Sequence, residues 1–418
     1  MTDLTQTIAG EVVEKPLLLA LIRRDPEPLA AVVRGDVALW EAVCARAGDH
    51  RCLPYLNWVL DQNGVAPPVA FAPALRQRWI LRSLAIQREC LRLHRILADA
   101  GIAHLFLKGV PLAITAYPES WLRPVRDIDL LVAAEDLTRA QALLLAHGGP
   151  IERYAHRLDE RVDPKAKHLV PVWSPGQVIA VELHGHATEA GTGPLPQTST
   201  CLDAMLWASA TDISLGDTAL PVPGPEALFV HLVLHGIYDH ELNNGPLFVL
   251  DLIHLLERMA PDPRRVVELA EYLGITRGLA LALSLVPERT VGRSDILNAL
   301  KGADTPDCLP TLGLDRAAAL LLQDSAARTE LRMSADLSAG SGWQRMRLLA
   351  GKILASRKTM TTRWRMEGHT APPPASFPRL WCWFVWTRVR GLRRTGSAHP
   401  RNRDHLLHLR SLRDGKGA

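Results

Sequence analysis

Two carboxylates stand two residues apart, Asp127 and Asp129, in the segment Leu122-Arg-Pro-Val-Arg-Asp-Ile-Asp-Leu-Leu-Val132. If residues 127–132 form a strand, side chains alternate between faces. Both acids then project to one side while Ile128, Leu130 and Val132 pack on the other. Two acids on one face can hold a divalent metal. That arrangement suits phosphoryl or nucleotidyl transfer, in which carboxylate-bound Mg²⁺ neutralises charge on phosphates. Asp-x-Asp alone is also what a solvated or capping pair looks like, so its surroundings decide.

About twenty residues upstream, Ile102-Ala-His-Leu-Phe-Leu-Lys108-Gly109 reads as a strand ending at glycine, and Pro111 suits the first turn of a following helix. A strand running into a helix N-terminus offers free backbone N–H groups to a phosphate, and Lys108 adds positive charge there. A third acid appears in Val178-Ile-Ala-Val-Glu-Leu-His-Gly-His186, after Ser174-Pro-Gly-Gln177, whose Pro and Gly positions fit a type II turn. Glu182, His184 and His186 share one face of that strand. Beside the Asp strand, Glu182 could complete a three-carboxylate site.

These segments resemble the uncharacterised bacterial nucleotidyltransferases of the DNA polymerase beta-like superfamily. The resemblance is carried by Leu107-Lys108-Gly109 before a helix, by Leu122-Arg123-Pro124 leading into Asp127-Ile-Asp129, and by Glu182-Leu-His184; it runs more weakly from about residue 16 to 260. Members more often carry Asp followed by Leu-His-Trp where this chain has Glu182-Leu-His-Gly185, and the wider superfamily's Gly-Ser turn is replaced by Lys108-Gly109. The resemblance implies an Mg²⁺-dependent enzyme that moves a nucleoside monophosphate from an NTP to an acceptor and releases pyrophosphate. Asp127, Asp129 and Glu182 would hold two ions. Lys108, the Gly109 backbone, and Arg123 or Arg126 would contact phosphates, with exposed loop charge as the other reading of the two arginines. His184 is read as hydrogen-bonding a metal-bound carboxylate. The acceptor stays open among small molecule, peptide, protein and RNA. A silent nucleotide-binding module and an RNA-directed enzyme are the rival readings.

The elements that must position these residues follow from pattern. Residues 1–100 read as helical, with Ile86, Cys90, Leu93 and Leu97 at helical spacing before the stop at Gly101. Residues 101–190 alternate: strand 102–108, helix 111–117, strand 127–132, helix 135–146, then two strands about the Pro-Gly turn. Residues 191–224, rich in Gly, Pro, Thr and Ser, read as a loop-rich bridge. Residues 225–340 read as a helical domain, with Pro225 and Pro246 at helix starts. The expected fold is α+β, a small mixed sheet of nucleotidyltransferase type flanked by N- and C-terminal helical segments. His231 and His235, four apart on an apolar helix, could bind metal, but satisfied core histidines are the preferred reading. Asp251, inside an apolar run, needs a buried partner, with His235, His231 or an arginine the candidates and a pair that orients the helical domain over the site the preferred role.

Composition excludes other classes. With 418 residues and 47% hydrophobic content the chain can bury a large core. Six scattered cysteines form no Cys-x-x-Cys pair, the start lacks an apolar leader, and no run approaches the roughly 18 apolar residues of a membrane span. A reduced, cytoplasmic compartment is expected. The mild net charge of +4 hides an asymmetry: residues 341–418 hold 17 Lys+Arg against 3 Asp+Glu, while the first 340 hold 31 against 41. This basic, Trp-rich segment could bind RNA or lipid. Docking on the acidic body is preferred, with residues 341–400 helical, Trp381, Trp383 and Trp386 burying apolar surface, and only the last dozen or so residues loose.

Overall fold

The computed structural model describes residues 2–158, 167–302, 310–323, 331–332, 334–336, 338, 360, 364, 379–386 and 400–415. They fall into two units, Met1–Leu322 with Leu412–Gly417, and Gln323–Ser411. The first unit is α+β. It opens with five helices: α1 (Thr2–Arg23), α2 (Glu27–Val33), α3 (Val37–Asp49), α4 (Leu53–Asn63) and the long α5 (Pro73–Asp99). Asp36 starts α3 by accepting the Ala38 and Leu39 N–H groups.

A mixed four-stranded sheet follows, built from β1 (His104–Phe106), β2 (Asp127–Val132), β3 (Val172–Trp173) and β4 (Ala180–His184) in the order β1-β2-β4-β3, with the short helix α6 (Gly109–Pro111) between β1 and β2. The central pair, β2 and β4, is parallel; β1 and β3 pair antiparallel at the two edges. One face of the sheet is apolar. Ile128, Leu130 and Val132 of β2 and Val181 and Leu183 of β4 join Ile86, Cys90, Leu93 and Leu97 of α5 in a single core, together with Leu137, Ala140 and Leu144 of α7 (Leu137–Gly148). The period of two in the strands and of 3.6 in the helices therefore meet on this side, which leaves the acids for the other.

The turn between β3 and β4 is not type II. The Gln177 N–H bonds the Ser174 carbonyl at 2.7 Å, but the positive φ (+53°) falls on Gln177, while Gly176 has none. Gly176 answers to another constraint: its N–H donates to the buried Glu89 of α5 at 2.6 Å, and a Cβ there would strike that carboxylate.

Residues 191–224 also differ from the expected loop. They contain a helix, α8 (Thr198–Ala208), and a hairpin of β5 (Thr211–Leu215) and β6 (Thr218–Val222), whose Ile213, Leu220 and Val222 join the main core. The Gly and Pro content that suggested a linker marks the ends of these short elements. Beyond them, α9 (Pro225–Val233) and α10 (Leu247–Met259) start at Pro225 and just after Pro246, and α11 to α14 (Pro263–Tyr272, Thr276–Leu285, Arg293–Gly302, Leu314–Leu321) complete the helical half.

In the second unit, Met360, Leu380 and Phe384 form a small core against which Trp364, Trp381 and Trp383 pack. Trp386 is 58% exposed. Most of residues 341–400 lie outside the described residues, and with them most of the expectation that this segment packs on the body. The end of the chain is not loose: Pro400–Asp414 is a helix, the Leu412 carbonyl accepts from Arg277, and Arg413 reaches Glu241 at 3.4 Å. No described helix is long and apolar enough to cross a membrane.

Gly148 ends α7 directly against the Trp173 carbonyl of β3, where a Cβ would overlap backbone. Gly148→Ala should lower stability by about 1–3 kcal/mol, as overpacking does. A urea-unfolding midpoint equal to wild type would show that the helix and strand do not approach this closely.

Candidate active site

Parallel pairing of β2 with β4 sets the polar face. Asp129 lies opposite Glu182, Leu131 opposite His184, and Asp127 opposite Ala180. Paired residues of neighbouring strands point to the same side, so Asp129, Glu182 and the next same-face residue of β4, His184, converge. One ligand atom from each lies within 4.8 Å of the others. Asp127 is one step outside that group, because the register places it beside Ala180, but its carboxylate still feels both acids.

Asp129 is the buried centre. Its Oδ1 accepts from Lys108 Nζ at 2.9 Å and from His184 Nε2 at 2.7 Å. Burial works to raise its pKa, but Lys108 and His184 outweigh it and hold the carboxyl well below the usual range. Lys108 arrives because the Leu107 N–H bonds the Asp129 carbonyl, continuing the β1–β2 pairing, after which the backbone turns through φ 50°, ψ −106° at Lys108. A lysine at positive φ stores about 1–3 kcal/mol of strain, which the buried ion pair retains.

Glu182 is the more open acid, with 23% of its side chain exposed against 8% for Asp129. Its Oε2 stands 3.7 Å from His184 and 4.0 Å from His168, and although burial raises its pKa, the two imidazoles together outweigh burial and Asp129 and lower it. Asp127 behaves oppositely. Burial first, then Asp129 and Glu182, push its pKa up to about 6, against the pull of Lys108 and Arg51.

Arg123, expected as a phosphate contact, is engaged in a buried ion pair. Its Nη2 and Nε meet Asp251 of α10 at 2.8 and 3.1 Å, and the Tyr117 hydroxyl donates to the same carboxylate at 2.8 Å. This is the buried partner that Asp251 requires, and it ties the loop before β2 to the helical half. Gly109 is shaped by the same pair: a Cβ would strike Arg123 Nη1, so glycine here clears room for the guanidinium. Only short helical structure follows Lys108, three α residues and then a five-residue π turn ending at Ala116. Arg126 remains exposed beside Asp127.

Sequence reasoning missed two residues. Arg51, at φ 60° between α3 and α4, has its charge opposed by burial and Arg123 and supported by Asp127. It comes from 76 positions upstream of Asp127, and nothing in its local pattern announces it. His168 enters through an isolated bridge to His184, with their rings 5.3 Å apart. His186, expected on the same face, pairs instead with Asp203 of α8 at 2.7 Å.

A family model described as uncharacterised nucleotidyltransferase matches residues 36–290, well over half of the chain. The chain belongs to this nucleotidyltransferase family. The matched span runs from the cap of α3 to the end of the α12 region and takes in every residue of the site, Arg51 and Asp251 included. Searches of curated proteins and of solved structures returned no match.

The opposed pKa shifts have a consequence for this nucleotidyltransferase-family fold. Asp127 favours its protonated form in the folded chain, so ionised Asp127 costs stability above about pH 6, and the cost vanishes as pH falls below its ordinary value near 3.8. In chelator, Asp127→Asn should therefore stabilise the protein by about 1–3 kcal/mol at pH 7.5 and by nothing below about pH 3. Thermal unfolding at the two pH values measures it, and a destabilised Asn variant at pH 7.5 would contradict the mutual repulsion of the three acids.

The Arg123–Asp251 pair gives a second expectation. Removing either partner alone leaves a buried charge and should cost about 3–5 kcal/mol. Replacing Arg123 by Met and Asp251 by Leu together should cost less than the sum of the single changes, a coupling that a double-mutant cycle reads directly.

Proposed function

We propose that the chain is an Mg²⁺-dependent nucleotidyltransferase that moves a nucleoside monophosphate from an NTP to an acceptor hydroxyl or phosphate, with release of pyrophosphate. The observation that carries this reading is the convergence of Asp129, Glu182 and His184 from paired parallel strands, with Asp127 close enough for its proton affinity to rise. Three mutually repelling carboxylates form a donor set that a hard divalent cation relieves. Asp127, Asp129 and Glu182 would hold one or two such ions, which supply charge neutralisation on the triphosphate when bound. The family-level resemblance to DNA polymerase beta-like enzymes points the same way.

The chain's own side chains have separable tasks in this proposal. His184 orients Asp129 through Nε2 and leaves the carboxylate's other oxygen to a ligand. Lys108 neutralises Asp129 in the absence of a cation and, once a cation takes that charge, is placed to bond a phosphate oxygen. Glu182, the most open of the paired acids, is placed to take the acceptor's proton on its carboxylate. Arg51 and Arg126 border Asp127 and replace Arg123 as candidate phosphate contacts.

One observation favours a second reading. The ammonium of Lys108 already satisfies Asp129, as it would in a module that binds nucleotide without turnover. Thermal unfolding with Mg²⁺ and each NTP, run beside a pyrophosphate-release assay, separates the two. Turnover predicts both a nucleotide-dependent stabilisation and pyrophosphate, each reduced about 100-fold or more in Asp127→Asn and Asp129→Asn. Stabilisation without pyrophosphate, over a range of acceptors, favours the silent module; no stabilisation by any Mg-NTP would remove both readings.

A further inference from the structure

The helix that begins at Pro225 changes its winding at Leu234. Pro225–Val233 is α-helical, and Leu234–Asp239 is a π turn closed by a 3.0 Å bond from the His240 N–H to the His235 carbonyl. In an α-helix residue i+4 returns to the face of residue i, whereas i+5 passes round to another. An i to i+5 turn brings that fifth residue back. His235, Asp239 and His240 therefore converge, one ligand atom from each lying within 4.8 Å of the others. The two imidazole rings are 4.3 Å apart, and His235 Nδ1 is 3.5 Å from Asp239 Oδ2.

The residues around this group make a second, independent observation. His231 lies one turn earlier on the same helix, 6.2 Å from His235 between ring centres, and is fully buried with neither ring nitrogen hydrogen-bonded; His235 Nδ1 likewise has no hydrogen-bond partner. The expected satisfied core histidines are thus not satisfied. Access exists as well, since Asp239 borders a cavity of 340 Å³ lined also by Thr192, Tyr238 and Arg413.

We propose that His235, Asp239 and His240 form a second cation site, separate from the three-carboxylate group, that takes a divalent transition metal of the zinc type and leaves a coordination position open. Two imidazoles and one carboxylate suit Zn²⁺ or Fe²⁺ and disfavour Mg²⁺, which seeks oxygen donors. Asp239 is held for the purpose: Lys167 Nζ donates to Oδ2 at 2.9 Å and Thr192 Oγ1 to Oδ1 at 2.6 Å. These two bonds fix the carboxylate's orientation. The Lys167 carbonyl also accepts the N–H groups of Gly185 and His186, directly after His184. One chain segment thereby links this site to the carboxylates, without either depending on the other.

The test uses the full chain stripped with chelator, then loaded with Zn²⁺ and desalted for metal analysis, with Co²⁺ as a visible-absorption probe. Wild type should retain one equivalent of Zn²⁺, show Co²⁺ bands of low coordination number, and unfold at higher temperature with Zn²⁺. His240→Ala should lose that equivalent, whereas Asp127→Asn and Asp129→Asn should keep it. His240→Cys should restore binding and add a thiolate-to-Co²⁺ charge-transfer band, a signature independent of how well the alanine variant folds. Wild type retaining no metal, an equivalent that survives His240→Ala but is lost in Asp129→Asn, or a Cys variant without the thiolate band would each overturn the site.

Discussion

The buried charge of Asp129 is the constraint around which the sheet is arranged. A carboxylate this enclosed persists only with partners of opposite charge or strong hydrogen-bond donors. Lys108 and His184 supply them from strands on either side, β1 and β4, so the order β1-β2-β4 is also the order of cation, anion and imidazole. The positive φ at Lys108 belongs to the same requirement, because in an extended continuation of β1 Lys108 would fall on the core face that Phe106 occupies, away from the acids. Strain in the backbone, sheet order and site chemistry are one arrangement seen at three scales.

Around that centre the charges are graded. Asp129 is held ionised by contact, Glu182 is ionised and more open, and Asp127 is pushed toward its neutral form by the other two. A group of acids poised in this way has an excess of negative potential, which is greatest where the acids repel one another. The basic residues bordering Asp127, Arg51 and Arg126, come from loops, so the phosphate contacts proposed for them would be drawn from distant parts of the chain.

Much of this was legible in the sequence because it is local and periodic. The alternation in Asp127–Val132 and in Ala180–His184 assigned both the core face and the acid face, and the helical spacing of Ile86, Cys90, Leu93 and Leu97 marked the helix that covers the former. What escaped depended on long-range geometry. Arg123 has the composition of a phosphate ligand, and only the placement of Asp251, 128 residues away, shows that it is engaged in a buried pair. The 191–224 stretch was misread because short elements bounded by Gly and Pro carry the same local signal as a loop. Likewise, the spacing of His235, Asp239 and His240 is meaningful only in a π turn, and α-helical periodicity would separate the third residue from the first two.

The Arg123–Asp251 clasp also bears on how the chain comes into being. Arg123 lies between the upstream helices and the first acid strand, and the carboxylate that neutralises it resides on α10, far toward the other end of the matched region. During synthesis the sheet segments emerge first, with a guanidinium that cannot be enclosed until residue 251 has left the ribosome. The acid-bearing sheet therefore lacks this clasp until α10 has been made, and the order of synthesis places the pairing of Arg123 after that of the strands.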